Sequence, residues 1–421
     1  MKKETSCASE SDTAFIEKLQ SYAHLVIRKG CNLQADQRLY LTASVECAPF
    51  VRLLTEEAYK AGAKHVTVAY SDERVARLSY DYCALELFET IPEWSALRNN
   101  WLAREGAAML HITSEDPLAM TGIDPAKPMA AAKAAHIACK EYYDALHKGH
   151  NTWCIVAAAS SAWAQRVFPE LEAEEAITRL WNAIFSCVRV DSADPVEAWT
   201  THRVTFDERK AWLNAQGFSA LRYHNSLGTD VTIGLNPHGI WQGGGDVTIS
   251  GVEFFPNMPT EEVFTTPDPA TAHGTVVGSV PLIHHGTRID GFSFTFEGGR
   301  AVSCRAAQGE DMLKALLEVD EGAARLGEVA LVPHGSPIQR SGILFLNTLF
   351  DENASCHLAF GKGFPDCVEG GQEMDEEALK DAGVNESAIH VDFMIGTADL
   401  CIEGIYGDGS STPVFLNGNW A

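Results

Sequence analysis

The most constraining feature of this sequence is the alternation of helical and strand patterns from residue 12 to about residue 169. Apolar residues recur with helical spacing over residues 14–26 and 50–60, and short strand-like runs occupy residues 38–43 and 65–70. Further strands are predicted at residues 107–111 and 152–158, with a covering helix at residues 130–145. Parallel strands need crossover connections, which are usually helices, so this order predicts a parallel sheet covered by helices.

Beyond about residue 221 the sequence is rich in short strand patterns separated by Gly and Asn-Pro turns. The predicted strands are residues 230–234, 246–250, 275–281, 289–297, 301–307, 389–395 and 414–416, and the predicted helices are residues 311–326 and 375–382. We therefore expect an α/β N-terminal domain with a parallel sheet, residues 1–190, followed by a mixed α+β C-terminal domain, residues 191–421.

The charge balance argues against nucleic acids as partners. With 57 Asp and Glu against 32 Lys and Arg, the formal net charge is −25, and the sequence has no basic patch that could neutralise phosphates. No apolar stretch reaches the roughly 18 residues that span a membrane, and the N-terminus lacks the apolar core of a signal peptide. The 11 Cys are scattered without a CxxC pair, which is typical of reduced thiols. We therefore expect a cytoplasmic protein that binds neither nucleic acid nor membranes.

His390 and Asp392 carry the clearest chemical signal. They stand two residues apart in the apolar run 389–395, so a strand would place both side chains on one face. An imidazole and a carboxylate on one face can bind one metal ion. A hydrogen-bonded structural pair gives the same pattern, so the residue types alone leave both interpretations open.

Acidic residues elsewhere in the second half are ambiguous in the same way. Glu328 taken alone fits the exposed C-terminal end of the predicted helix 311–326. Glu261 and Glu262 fit the solvated start of a strand. Carboxylates also bind metal ions, so surface positions and a metal site both remain possible for these three residues.

Four ordered segments of the second half, taken together, resemble one family closely. They are Asn257-Met-Pro-Thr-Glu-Glu-Val-Phe-Thr, the stretch 320–333 that ends in Leu-Gly-Glu-Val-Ala-Leu-Val-Pro, Phe350-Asp-Glu-Asn-Ala and His390-Val-Asp-Phe-Met-Ile-Gly. The family is that of the metal-dependent aminopeptidases of the aminopeptidase T and aminopeptidase S group. The resemblance runs through nearly the whole chain, and chance agreement at so many ordered motifs is negligible.

The resemblance implies two divalent metal ions per chain in a metal-binding C-terminal domain. Matched by motif, the expected ligands are Glu262, Glu328, His357, His390 and Asp392. Oxygen and imidazole ligands without a thiolate suit Zn, Co, Mn or Mg.

The order of the adjacent acidic pair stays open, with Glu262 favoured as the ligand. Glu261, if it is not a ligand, is the natural candidate for the general base that moves the proton of the attacking water to the leaving amine.

The resemblance also implies a hydrolase that removes N-terminal residues from peptides with broad specificity. Two divalent cations can activate water, polarise the scissile carbonyl and stabilise the developing oxyanion. A free α-amino group is cationic, so an acidic cavity attracts it. The family further implies a homodimer in which the N-terminal domains help to enclose the active-site cavity.

One position departs from the family pattern. Seven residues beyond the matched His the family usually has a Tyr that stabilises the oxyanion, whereas this chain reads His357-Leu-Ala-Phe-Gly-Lys-Gly-Phe364-Pro365. A Phe keeps the ring and lacks the hydroxyl donor, and removing one oxyanion donor typically slows turnover about 100- to 1000-fold. We therefore expect slow catalysis or a replacement donor such as Lys362, unless the family Tyr acts mainly by packing.

Two other functions fit part of this residue set. His357, His390 and Asp392 also form the set of two His and one carboxylate used by mononuclear non-haem iron oxygenases, and ring-cleaving dihydroxypyridine dioxygenases look like relatives of this fold. Glu262 and Glu328 argue against that function, because the iron of such an enzyme needs open positions. A catalytically weakened metal-binding dimer, which lost turnover with the Tyr hydroxyl, is the remaining alternative.

Overall fold

The computed structural model describes residues 10–284 and 286–421, which divide into two compact units. Unit 1 comprises the described residues up to Asp116, together with Ile123–Thr201 and Gly245–Met258. Unit 2 comprises Pro117–Gly122, His202–Gly244 and Pro259–Ala421. This division differs from the contiguous domains 1–190 and 191–421, since residues 191–201 and 245–258 belong to unit 1.

Two sets of contacts explain the difference from the contiguous division. Trp199 is fully buried, donates its indole N–H to the Val188 carbonyl over 2.8 Å and packs edge-on against Phe255. Asn257–Met258 forms a two-residue strand that pairs in parallel with Trp153–Ala157. A strand this short has no periodic pattern, so it cannot be predicted from the sequence.

Unit 1 is built on a five-stranded parallel sheet, as the alternating patterns predict. Across the sheet the strands follow the order Asn257–Met258, Trp153–Ala157, Ala108–Thr113, Arg38–Ser44 and His65–Ser71. Its α-helices are Glu10–Leu25, Ala48–Lys60, Glu73–Tyr82, Glu93–Arg104, Ala126–Ala138, Lys140–His147, Ser161–Val167, Ala173–Cys187 and the first part of Pro195–Gln216. The single helix predicted at 130–145 is thus two helices that meet at Cys139. None of the helices in the described part of the chain is long and apolar enough to cross a membrane.

The described part of unit 2 contains two large antiparallel sheets, a two-stranded antiparallel sheet of Leu282–His284 and Thr287–Ile289, and short helices, in agreement with a mixed α+β class. The eight-stranded sheet has the order Arg300–Arg305, Ser293–Glu297, His273–Val277, Asp230–Gly234, Ala220–His224, Cys401–Ile405, Ser411–Leu416 and Asn419–Trp420. The five-stranded sheet has the order His390–Met394, His357–Gly361, Leu326–Leu331, Val263–Thr265 and Gln242–Gly243. The α-helices are Glu310–Leu317, Pro337–Ser341, Thr348–Asp351, Glu376–Asp381 and the second part of Pro195–Gln216.

The predicted helix 311–326 is wrong over its second half. The observed helix Glu310–Leu317 ends early. The Asp320 carboxylate accepts a hydrogen bond of 2.8 Å from the Ala323 N–H, which holds the following chain in a turn, and one of 2.7 Å from the distant Ala388 N–H. The chain then enters the fully buried strand Leu326–Leu331. Glu328 therefore lies within a strand and not at an exposed helix end.

Alternation along the five-stranded sheet directs apolar side chains to one face. Leu358, Phe360, Val391 and Phe393 are buried in the core of unit 2, where the rings of Phe360 and Phe393 stack with centroids 4.9 Å apart. Phe294 of the eight-stranded sheet packs against Phe360 at 4.8 Å. Because successive strand residues point to opposite faces, the residues between these lie on the other side of the sheet.

Candidate metal centre

The face of the five-stranded sheet opposite the aromatic core carries imidazole and carboxylate groups. Glu328, His357, His390 and Asp392 lie on three adjacent strands, and Glu262 immediately precedes a fourth. Glu262, Glu328 and His357 are buried, and the other two are partly exposed. The structure thus brings together all five residues that the family resemblance implies as ligands.

The register of the strands leaves space between these groups. Glu328 pairs with Ala359, which in turn pairs with Asp392, and His357 pairs with Ala330. Neighbouring strands lie about 4.8 Å apart, so the backbones of Glu328 and Asp392 are separated by roughly 10 Å. The methyl group of Ala359 does not fill that interval, and the two acidic side chains can therefore converge above it.

A bulge in the strand directs Glu328 towards this space. The pairing register shifts between Leu326 and Glu328, so Gly327 is the extra residue. A Cβ atom on Gly327 would collide with the carbonyl oxygens of Gly361 and Lys362. Only glycine therefore allows this close approach of the two strands, and the bulge re-aims the side chain that follows it.

The carboxylate of Glu328 lies at the centre of the site. Its Oε1 is 3.9 Å from His357 Nε2, and its Oε2 is 3.2 Å from His390 Nε2. His357 Nε2 is also 3.3 Å from Glu262 Oε2, and His390 Nε2 is 3.3 Å from Asp392 Oδ1. Within the described residues these atoms form two groups of three whose members lie within 4.8 Å of one another. Glu328 belongs to both groups and directs one oxygen to each.

Both imidazoles present the same nitrogen to the site. His357 Nδ1 lies 3.0 Å from the Glu352 carbonyl oxygen and 3.1 Å from that of Ser355, and His390 Nδ1 lies 2.7 Å from that of Lys362. A carbonyl only accepts, so each Nδ1 carries the proton, and in the neutral ring Nε2 is an acceptor. An acceptor beside carboxylate oxygens is repelled unless a cation or a proton lies between them, so this donor set fits a divalent cation.

Burial and mutual charge perturb the titratable groups of the site. Burial raises the pKa of Glu328 to about 7. Burial opposes charging of His357, but its hydrogen bond to Glu262 and the charge of Glu328 hold the pKa of the imidazole well above its usual value. Burial likewise opposes ionisation of Asp392, yet hydrogen bonding to His390 lowers the pKa of that carboxyl. Metal binding therefore competes with protons held on the imidazoles and releases them.

Glu261 lies next to this cluster but its side chain takes another direction. Its carboxylate belongs to neither group of three, and its Oε2 is 3.6 Å from His202 Nε2. Its backbone N–H donates to Asn353 Oδ1 over 2.7 Å. The geometry therefore favours Glu262 over Glu261 as a metal ligand.

Phe364 lies at the border of the site. Its ring centroid is 4.8 Å from the imidazole of His390 and 5.3 Å from the ring of Phe264. The side chain of Lys362 is exposed, and its backbone carbonyl accepts the His390 hydrogen bond. The apolar ring thus stands beside a candidate ligand, where a Tyr would place a hydroxyl close to the site.

Sequence reasoning missed three residues of this site. Glu352 is a further acidic group, and burial together with the charge of Glu262 raises its pKa well above the usual value. Asn353 and His202 contact the segment that carries Glu261. Glu352 and Asn353 belong to the family motif Phe350-Asp-Glu-Asn-Ala, so that motif could have indicated them. His202 belongs to no motif, so the sequence does not indicate it.

Comparison with known proteins agrees with this geometry. A sequence model of the thermophilic metalloprotease family M29 matches residues 15–420. Aminopeptidase AmpS of Bacillus subtilis is 46% identical over 408 residues, which cover 97% of this chain and 99% of the relative. Aminopeptidase T of Thermus thermophilus is 43% identical over 407 residues, with coverage of 97% and 99%. The solved structure of wild-type AmpT from Thermus thermophilus matches with a TM-score of 0.90 at 42% identity, over 97% of this chain and 100% of that one.

The chain therefore belongs to the M29 family of thermophilic metalloproteases, and it is an enzyme that hydrolyses peptide bonds. The family resemblance found in the motifs is confirmed. Membership of a metalloprotease family implies divalent metal ions, and the two groups that share Glu328 are the candidate side chains to hold them.

The space above Ala359 provides a direct test of the site geometry. We expect Ala359→Leu to fill the interval between Glu328 and Asp392 and to weaken Zn binding by more than about 10-fold, the lower end of the effect of changes around metal ligands. Ala359→Ser, which adds one atom, should retain most of the affinity. Titration calorimetry on the chelator-treated proteins measures both, and wild-type affinity in the Leu variant would contradict the geometry.

Proposed function

We propose that this chain is a dinuclear metal-dependent aminopeptidase that releases N-terminal residues from peptides. The observation that supports this best is the carboxylate of Glu328, whose two oxygens face different imidazoles. A carboxylate in that position could offer one oxygen to each of two divalent ions. In this proposal Glu262 and His357 would help to hold one ion, and His390 and Asp392 would help to hold the other.

The chemistry of the ligand set fits this function. When bound, divalent ions supply Lewis acidity that polarises the scissile carbonyl and lowers the pKa of water. Oxygen and imidazole ligands without a thiolate suit Zn, Co, Mn or Mg. Glu262, Glu328 and Asp392 offset about three of the four positive charges of two divalent ions, so the site stays electrophilic.

Glu261 is the proposed general base. Glu261 is buried and adjoins the candidate ligand Glu262 in the chain, and its carboxylate belongs to neither ligand group, so it is not committed to metal binding. In the reaction it takes the proton of the attacking water and delivers it to the leaving amine.

The surroundings of the site suit a cationic peptide N-terminus. Glu261 adds a buried carboxylate to the three of the ligand set, and Glu352 is a further acidic group, whose pKa is raised by burial and by the charge of Glu262. A protonated α-amino group is attracted to acidic surroundings of this kind.

Broad specificity follows from the apolar border of the site. The half-buried ring of Phe364 stands beside His390, and the half-buried ring of Phe264 packs against Phe364. Apolar contacts discriminate weakly, by about 10- to 200-fold for a methylene group. We therefore propose that many N-terminal residues are accepted.

The alternatives considered from the sequence are less well supported. A mononuclear iron dioxygenase needs open positions on its metal, whereas Glu262 and Glu328 have oxygens 3.3 and 3.9 Å from His357 Nε2. The only support for a metal-binding dimer without turnover is Phe364, which lacks the hydroxyl of the family Tyr. The Phe364→Tyr variant described below distinguishes that alternative from an active aminopeptidase.

Metal dependence and the requirement for a free N-terminus are tested together. We expect the protein to cleave leucyl-anilide but not N-acetyl-leucyl-anilide, to lose activity with a chelator and to regain it with Zn or Co. Glu262→Gln should lower kcat/KM more than about 100-fold, beyond the usual effect of changes around metal ligands. Glu297→Gln, at an exposed glutamate, is the matched control. A protein that binds metal but cleaves neither substrate would refute the proposal.

Phe364→Tyr tests the missing hydroxyl. If an oxyanion donor is absent, the restored hydroxyl should raise kcat by up to about 100- to 1000-fold. Phe264→Tyr places a hydroxyl on the neighbouring ring and should give no such gain. An unchanged kcat in Phe364→Tyr would show that the ring acts by packing alone, and turnover that appears only in this variant would favour the weakened dimer.

We further propose a cytoplasmic location. The described cysteines are free thiols, which is typical of a reducing compartment. The net charge of −25 also keeps copies of the protein apart in solution through mutual repulsion.

A homodimer is proposed from the surface of unit 1. Helix Glu73–Tyr82 exposes Val75, Leu78 and Tyr82, and helix Glu93–Arg104 exposes Trp94, Leu97 and Trp101. Both sets have the spacing i, i+3, i+7, which places each on one helix face. Exposed apolar side chains gathered on helix faces often mark protein–protein contacts, and the family resemblance implies a homodimer, so we propose that a second copy of this chain covers them.

The dimer proposal is tested by charge substitution. The double variant Leu78→Glu, Leu97→Glu should convert a species of twice 45.8 kDa into one of 45.8 kDa in sedimentation equilibrium. Val302→Glu, at a residue that is 52% exposed in unit 2, should leave the mass unchanged. A wild-type protein that sediments as a monomer would exclude the dimer.

A further inference from the structure

One buried peptide unit beside the site is held by side chains at both of its polar atoms. The carbonyl oxygen of Thr260 accepts a hydrogen bond of 2.9 Å from His202 Nε2. The N–H of Glu261, in the same peptide unit, donates to Asn353 Oδ1 over 2.7 Å. Thr260, Glu261 and Asn353 are all buried, so water does not compete for these bonds.

Neither contact belongs to a sheet ladder. The peptide unit precedes the strand Val263–Thr265, whose pairing begins at Val263. Side chains therefore replace neighbouring strands as partners for buried backbone groups. A planar peptide unit held at both polar atoms resists rotation, which restrains the backbone that carries Glu261 and Glu262.

The two holding side chains are themselves oriented. Asn353 donates its Nδ2 hydrogens to the Leu349 carbonyl at 3.0 Å and to Glu352 Oε1 at 3.3 Å, which leaves its oxygen for the peptide N–H. A carbonyl only accepts, so His202 carries its proton on Nε2, and its ring packs edge-on against Phe206 with centroids 4.4 Å apart.

We propose that His202 and Asn353 are positioning residues that hold Glu261 and Glu262 for proton transfer and metal binding. The inference rests on the proposed function, because it concerns the same site. His202 acts through the backbone of Thr260, which it bonds directly. Partners of this kind typically change metal affinity or activity about 10- to 100-fold when they are removed.

The test compares two substitutions of His202. His202→Phe keeps a ring against Phe206 but removes the donor, whereas His202→Gln places an amide N–H close to the position of Nε2. We expect His202→Phe to weaken Zn binding to the chelator-treated protein about 10- to 100-fold in titration calorimetry and to lower kcat more than it changes KM. His202→Gln should retain most of both. His224→Phe makes the same change at an exposed residue and should have no effect.

Thermal unfolding of the metal-free proteins separates positioning from general stability. A lower midpoint in His202→Phe with unchanged Zn affinity and kcat would overturn the proposal, and so would a Gln variant as impaired as the Phe variant. If His202→Phe does not fold, His202→Asn, whose shorter amide does not reach Thr260, takes its place. A wild-type protein without peptidase activity would refute the proposed function alone, because the contrast in Zn affinity still decides the positioning role.

Discussion

A buried concentration of negative charge is the constraint on which the candidate site depends. Glu262, Glu328 and Asp392 converge on two imidazoles within hydrogen-bonding distances. Ionised carboxylates lose hydration on burial and repel one another, so they require positive charge between them. The Nδ1 hydrogen bonds fix the imidazoles so that Nε2 faces inward, which leaves protons or metal ions to supply that charge.

The same three strands build both the hydrophobic core and the site. Phe360 and Phe393 stack in the core of unit 2, while Ala359 and Asp392, their neighbours in sequence, lie on the opposite face. A slip of one residue would exchange these faces, so burial of the aromatic rings also fixes the positions of the acidic and imidazole groups. The stability of the core and the geometry of the site are therefore set by one register.

The sequence predicted some parts of this arrangement and not others. The apolar run 389–395 correctly indicated a strand with His390 and Asp392 on one face, because strand alternation is a local property. The local pattern predicts Glu328 at the end of a helix, because its apolar surroundings fit either kind of element and the deciding pairing with the strand His357–Gly361 is distant in sequence. His202 could not be found at all, because its role depends on a tertiary contact with Thr260.

The proposal that Glu328 offers one oxygen to each of two metal ions can be tested by anomalous diffraction from crystals grown with Zn. We expect two anomalous peaks per chain, one near each imidazole, with one Glu328 oxygen directed to each peak. A single peak that is bound by His357, His390 and Asp392 without Glu328 would contradict it.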